Sequence, residues 1–151
     1  MKQKLESILN RKHKSILFAG VGNVLRSDDG VGVFIVSGIE NRDHISTLLV
    51  EVSIENYISK INSLSPDILI IADCLYFNQE PGYADIIPVG ETNELTISSH
   101  NISLKKVSEF LKMEVYVLGV QPADLRVGEH LTPVVRESAE KIIKIIGEAC
   151  R

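Results

Sequence analysis

The chain has little from which to build a covalent or thiolate framework. Only two of its 151 residues are cysteine, Cys74 and Cys150, and they form no Cys-x-x-Cys pair. A disulfide scaffold and a thiolate metal cluster are thereby excluded, and reduced thiols in a reducing compartment are expected. No apolar run approaches the roughly 20 residues that span a bilayer. The N-terminal Met1-Lys2-Gln3-Lys4-Leu5-Glu6 has no secretory apolar core. No membrane association is expected, and the protein is expected in the cytoplasm. Basic residues are the minority, 16 Lys and Arg against 20 Asp and Glu for a net charge of -4. They form no clustered face, and Lys12 and Lys14 are too few to make one. A nucleic-acid surface, which depends on neutralising phosphates, is therefore excluded.

What is present suffices for a core. With 44% hydrophobic and 24% charged residues, residues 1–151 read as one globular domain. No long amphipathic seam is left over, so a monomer is expected. Apolar runs alternate with amphipathic stretches, the pattern of a parallel sheet covered on both faces. The expected fold class is α/β, a three-layer α/β/α arrangement with a mostly parallel central sheet of about five strands flanked by helices. Strands are expected over 15–19, 47–52, 68–73 and 115–120, with an edge strand over 84–89 bounded by Gly82 and Pro88. The last helix spans 133–149, with Thr132 as cap, Pro133 at its first position, and Val135, Ala139, Ile142, Ile143 and Ile146 on one side. Further helices are expected over 54–63, after Ser53 as cap, and over 102–112, where Val107, Phe110 and Leu111 face the core. The segment 30–40 has the β-branched content of a strand. It follows the helix start Ser27-Asp28-Asp29, and parallel strands need a crossover, so it reads as a buried helix.

The most distinctive stretch is Gly20-Val21-Gly22-Asn23-Val24-Leu25-Arg26-Ser27-Asp28-Asp29-Gly30. A dinucleotide loop would carry a third glycine where Leu25 stands. Two aspartates then arrive where a phosphate would lie, and like charges at about 4 Å repel by roughly 4 kcal/mol at an effective dielectric of 20. An anionic ligand is disfavoured and a cation favoured. Glu51, after the second strand, imitates a ribose-binding acid and keeps a nucleotide-binding domain as an alternative. Helix-start aspartates also serve as ordinary caps.

In an open parallel sheet, ligands gather beyond the carboxyl ends of the strands. Asp29, Asp73 at the end of Ile68-Leu69-Ile70-Ile71-Ala72, and His100 in Ser98-Ser99-His100-Asn101 all fall there. Two carboxylates and an imidazole suit a borderline divalent ion such as nickel or zinc, with coordination positions left open. The plain alternative is that Asp73 caps a turn, His100 caps a helix, and nothing binds. Cys74 with His100 imitates a thiol and its base. Strand alternation, however, points Cys74 away from Asp73, as expected of a buried structural cysteine. Ser99 has no nucleophile-elbow sequence around it. His13, His44 and His130 read as surface histidines.

Four motifs, in order, resemble the hydrogenase maturation proteases. They are Gly20-Val21-Gly22-Asn23 through Asp28-Asp29-Gly30-Val31-Gly32, Ile71-Ala72-Asp73, Ser99-His100-Asn101, and Leu118-Gly119-Val120-Gln121-Pro122. With the closing Leu131-Thr132-Pro133, the pattern is similar to the type that processes hydrogenase 3 large subunits. The segment 88–98 matches no motif of the family. The resemblance implies an endopeptidase, a nickel-dependent hydrolase of aspartic type, that removes the C-terminal extension of a nickel-iron hydrogenase large-subunit precursor after nickel insertion. It implies Asp29, Asp73 and His100 as metal contacts, Asp29 and Asp73 as catalytic residues, and nickel delivered by the precursor. Either nickel polarises the scissile carbonyl or an aspartate acts as general base. Gly22 and Asn23 are expected either to hold the substrate tail or to shape the loop, and Gln121 is expected to approach the cleft. A nickel-sensing chaperone that docks without cutting is the remaining alternative.

Overall fold

In a computed structural model of the chain, residues 1–92 and 103–151 are described. Five strands form one sheet: β1 (Ile16–Val21), β2 (Ile45–Glu51), β3 (Ile68–Cys74), β4 (Ala84–Pro88) and β5 (Glu114–Val120). Their spatial order is β2-β1-β3-β5-β4. The first four in that order run parallel, and β4 pairs antiparallel with β5 at the edge. The sequence predicts this mostly parallel sheet, including the edge strand. Every residue of β1 and β3 is buried, because both strands are central and helices cover both faces.

One helical layer contains α1 (Lys2–Leu9), α2 (Val31–Ser37) and α5 (Pro133–Ala149). Leu5, Val31, Ile35, Val135, Ala139 and Ile142 pack there against Ile16, Phe18, Ile68, Ile70 and Leu118. The opposite layer contains α3 (Ile58–Leu64) and α4 (Leu104–Ser108). Ile61, Leu104 and Val107 pack there against Leu17, Ala19, Leu69, Ile71 and Val117. The odd and even strand positions thus sort cleanly to two cores, as a period of two requires. Among the described residues no helix is long and apolar enough to cross a membrane.

The segment 31–37 is helical, as expected despite its β-branched residues, because α2 must carry the chain from β1 to its parallel neighbour β2. Other local expectations are corrected. The expected helix over 54–63 opens instead as a 3-10 turn, Ile54–Tyr57, and becomes α-helical only from Ile58. The Ser53 side chain makes no capping bond. Phe110 is 62% exposed rather than in the core. α4 ends at Ser108, and the chain continues in tighter turns, Phe110 N to Val107 O and Leu111 N to Ser108 O both at 3.1 Å, that leave Phe110 outside while Leu111 stays buried with Leu104 and Val107. Thr132 occupies the N-cap position of α5 but gives α5 no side-chain bond; its hydroxyl is engaged elsewhere.

Candidate active site

The loop after β1 is shaped by a glycine that nothing else can replace. Gly22 has φ +136°, and a Cβ added there would overlap the carbonyl oxygen of Asp29. The chain can therefore double back tightly, and the Asn23 amide donates to Asp29 Oδ2 at 3.1 Å. The Asn23 side chain accepts from the Leu25 amide at 2.9 Å, closing a local turn. A 3-10 turn, Ser27–Gly30, then presents the two aspartates and leads into α2. Gly32 lies so close to the carbonyls of Val21 and Ala72 that a Cβ would overlap both. The start of α2 is thus seated on the carboxyl ends of β1 and β3.

The adjacent aspartates have different surroundings. Asp28 is fully buried. Its Oδ2 accepts from the amides of Ala123 at 2.9 Å and Asp124 at 3.0 Å, and from the Thr132 hydroxyl at 2.9 Å. Its Oδ1 accepts from the Thr132 amide at 2.8 Å and the same hydroxyl at 3.1 Å. Backbone bonds reinforce the clasp: Ser27 N to Gly128 O at 2.8 Å and Gly128 N to Leu25 O at 2.9 Å. Asp28 is an anchor that locks the loop after β5 to the aspartate turn. Asp29 is only 3% exposed, and its Oδ1 accepts no hydrogen bond among the described residues. A buried carboxylate oxygen without a donor is costly, and in a native protein it calls for a specific explanation.

Asp73 is fully buried, one residue from the end of β3, in register with Gly119 of β5. Its Oδ1 accepts from the Cys74 amide at 2.7 Å. Cys74 lies on the other face, in the core beneath α2 and α5. Burial raises the pKa of its thiol far above the ordinary thiol range, and the negative charges of Asp73, Asp29 and Asp28, in that order, raise it further. Asp29 and Asp73 both lie at the carboxyl edge of the sheet, Asp29 in the turn after β1 and Asp73 near the end of β3, while the Asp28 carboxylate is turned to the loop after β5. The same field keeps Cys74 protonated, which removes it as a nucleophile.

His100 lies outside the described residues. Among those described, no three His, Cys, Asp or Glu side chains form a group that could hold a metal ion. His13, His44 and His130 are exposed. The amides that would cradle a phosphate in a nucleotide loop are already committed: Gly22 N donates to Glu51 O at 2.7 Å and Asn23 N to Asp29. Gln121 is buried and turned to the loop after β3, where its Oε1 accepts from the Phe77 amide at 2.6 Å. Sequence reasoning missed Asp28 and Thr132 as a pair. The only signal was that both belong to conspicuous motifs, and 104 residues separate them.

Comparison with known proteins gives a consistent result. A family model described as hydrogenase maturation protease matches residues 52–149. A Methanocaldococcus jannaschii protein that carries the provisional name hydrogenase maturation protease is 29% identical over 150 residues, covering 89% of this chain and 96% of its own. The crystal structure of a NiFe hydrogenase maturation protease, HycI, from Thermococcus kodakarensis superposes with a TM-score of 0.84. It is 25% identical, with 97% of this chain and 98% of that one covered. The hydrogenase maturating endopeptidase HybD from Escherichia coli gives a TM-score of 0.76 at 27% identity, covering 89% and 91%.

Proposed function

The chain belongs to the hydrogenase maturation protease family, and from that premise we propose that it is a processing endopeptidase. It removes the C-terminal extension of a nickel-iron hydrogenase large-subunit precursor once nickel has been inserted. The observation that carries this reading is the division of labour in the aspartate pair. Asp28 spends its whole carboxylate on loop anchoring, while Asp29 Oδ1 is buried and without a hydrogen-bond donor among the described residues. A hard oxygen ligand kept ready at the carboxyl edge of a parallel sheet suits a divalent ion brought by the substrate.

Nickel is part of the substrate, held by the precursor's own cysteine thiolates, and supplies Lewis acidity next to the peptide to be cut. Asp29, Asp73 and His100 complete its coordination, so that only a loaded precursor docks productively. The carboxylates also supply the proton chemistry: one accepts a proton from the attacking water, the carbon-nitrogen bond breaks, and the departing amine takes the proton. The rigid loop held by Asp28 fixes Asp29 in place before the substrate arrives, which spares the cost of ordering it during reaction.

The test is the intact mass of the purified large-subunit precursor after incubation with the protein, with and without inserted nickel. Loss of a C-terminal fragment from the loaded form alone is the expected result. Docking of the loaded form without any mass change would replace this reading with a nickel-sensing chaperone, and cleavage without nickel would overturn the metal-gating role.

A further inference from the structure

We propose that the open edge of β2, at Thr47 and Leu49, binds an extended segment of the precursor as an added strand. This inference rests on the protease reading above and names how the site holds the chain it cuts.

The sheet has two edges, β2 and β4. Proteins blunt such edges, because unpaired N–H and C=O groups are a template for another chain. The β4 edge is blunted. Its antiparallel pairing with β5, in which Gln121 N donates to Tyr83 O at 2.7 Å, turns residues 84, 86 and 88 outward. Pro88 has no N–H, the Ile86 amide is taken by Asp85 Oδ1 at 2.9 Å, and Lys4 pairs with Asp85 at 2.9 Å.

The β2 edge is blunted only at its start. Ile16 N donates to His44 O at 2.8 Å. Along this parallel ladder His44, Ser46 and Leu48 therefore turn their backbone groups to β1, while Ile45, Thr47 and Leu49 turn theirs outward. Ile45 spends both groups on Arg42, donating to its carbonyl at 3.1 Å and accepting from its amide at 2.8 Å. Asn41 takes only the Thr47 hydroxyl, at 2.9 Å. The backbone groups of Thr47 and Leu49 have no partner among the described residues, and β2 contains no proline, lysine or arginine.

These two open rungs define the ligand. Donors and acceptors repeating every second residue match an extended backbone. Leu49 is 46% exposed, so an apolar side chain opposite it adds a cross-strand contact. The open rungs also lie at the end of β2 nearest the aspartate turn: Glu51 O accepts from Gly22 N at 2.7 Å, and Gly22 packs against the Asp29 carbonyl. Strands lie about 4.8 Å apart, so an added strand is about 10 Å from β1 and about 14 Å from β3; at about 3.3 Å per residue, three or four residues carry the chain from it to Asp29 and Asp73. A peptide bond reaches those carboxylates only from an open stretch of chain, and the precursor beside its cleavage point supplies one. A second copy does not fit. In a two-fold pairing of Thr47 with Leu49, Glu51 of one copy meets Ile45 of the other, where Arg42 already lies.

Proline substitution tests the edge, with the nickel-loaded large-subunit precursor as probe. Leu49→Pro removes an outward N–H and spares the β1 ladder, as proline on an edge strand does. Leu49→Ala measures the side chain's share. Leu49→Pro is expected to raise KM about fivefold beyond Leu49→Ala, the worth of one hydrogen bond, with kcat retained. A thermal melt checks folding. Pulse-labelled hydrogen exchange of the wild-type protein incubated with excess precursor is the second measurement, and it decides if Leu49→Pro does not fold. The Thr47 and Leu49 amides are expected to slow several-fold, while the Ile45 amide, already bonded to Arg42, is unchanged. A folded Leu49→Pro with a KM no higher than that of Leu49→Ala overturns the proposal. Slowing that appears in the protein alone as its concentration rises also overturns it, since a second copy then occupies the edge. Cleavage with fast-exchanging Thr47 and Leu49 amides sinks the added strand alone. Slowed amides without cleavage sink the protease reading and leave the edge standing, and a precursor that neither slows them nor is cut overturns both.

Discussion

Replacing Asp28 by asparagine separates anchoring from chemistry in two adjacent carboxylates. The amide side chain keeps one oxygen, which can still accept from the Ala123 and Asp124 amides. Its NH2 then faces the Thr132 amide, which now donates to Asp28 Oδ1 at 2.8 Å. Two donors confront each other in a fully buried place. A hydrogen bond to an ionised acceptor contributes about 1.5–3 kcal/mol, and a stranded buried N–H costs about 1–3 kcal/mol. The sum is about 2.5–6 kcal/mol, and at about 2–4 °C per kcal/mol for a domain of this size the Tm falls by about 5–24 °C. Asp29→Asn is the contrast. Its oxygen retains the Asn23 amide, and the NH2 replaces an oxygen that had no donor among the described residues. Stability therefore stays within about 1 kcal/mol, while nickel-dependent cleavage is lost. Thermal melts of both proteins, with precursor cleavage measured alongside, check the pair. An Asp28→Asn protein that melts with the wild type, or an Asp29→Asn protein destabilised as much as Asp28→Asn, refutes the division of roles.

Other consequences follow from the same geometry. Gly22→Ala is expected to lose at least about 3 kcal/mol, since the new Cβ meets the Asp29 carbonyl at an unfavourable φ; denaturant midpoints measure it. The Asp124 carboxyl, hydrogen-bonded to the Arg126 side chain and then to its backbone amide, is held down at about 2. Because this value is depressed below the ordinary 3.8, its contribution is present above that pH and fades as pH falls toward 2. Carbon-detected NMR titration should show the low midpoint, and Arg126→Ala should raise it only part of the way, because the backbone amide of residue 126 still donates to Asp124. Cys74, buried beneath three carboxylates, should resist iodoacetamide at pH 8 in the native protein, while half-buried Cys150 reacts. Peptide mapping that finds equal rates would contradict the electrostatic picture of the site.

The alternation of apolar runs and amphipathic stretches was sufficient to specify the mostly parallel sheet, its edge strand and α5, because strand and helix periods are local properties written along the chain; that the edge strand runs antiparallel came from the tertiary pairing of β4 with β5. The motifs around Asp29 and Asp73 were legible for the same reason, and both residues do lie at the carboxyl edge of the sheet. Local pattern could not decide which of Asp28 and Asp29 is engaged. That depends on donors at Ala123, Asp124 and Thr132, which reach Asp28 only after β5 returns beside β3. Thr132 was read as a cap because helix starts favour threonine, yet its hydroxyl faces a carboxylate that folding brings from the other end of the chain. Phe110 was read as core on the assumption of a helix running to 112, while α4 ends at Ser108 and the turn beyond it leaves Phe110 outside. Sequence determines the elements and their order; only the tertiary structure decides which polar atoms are consumed in holding them together and which are left to bind.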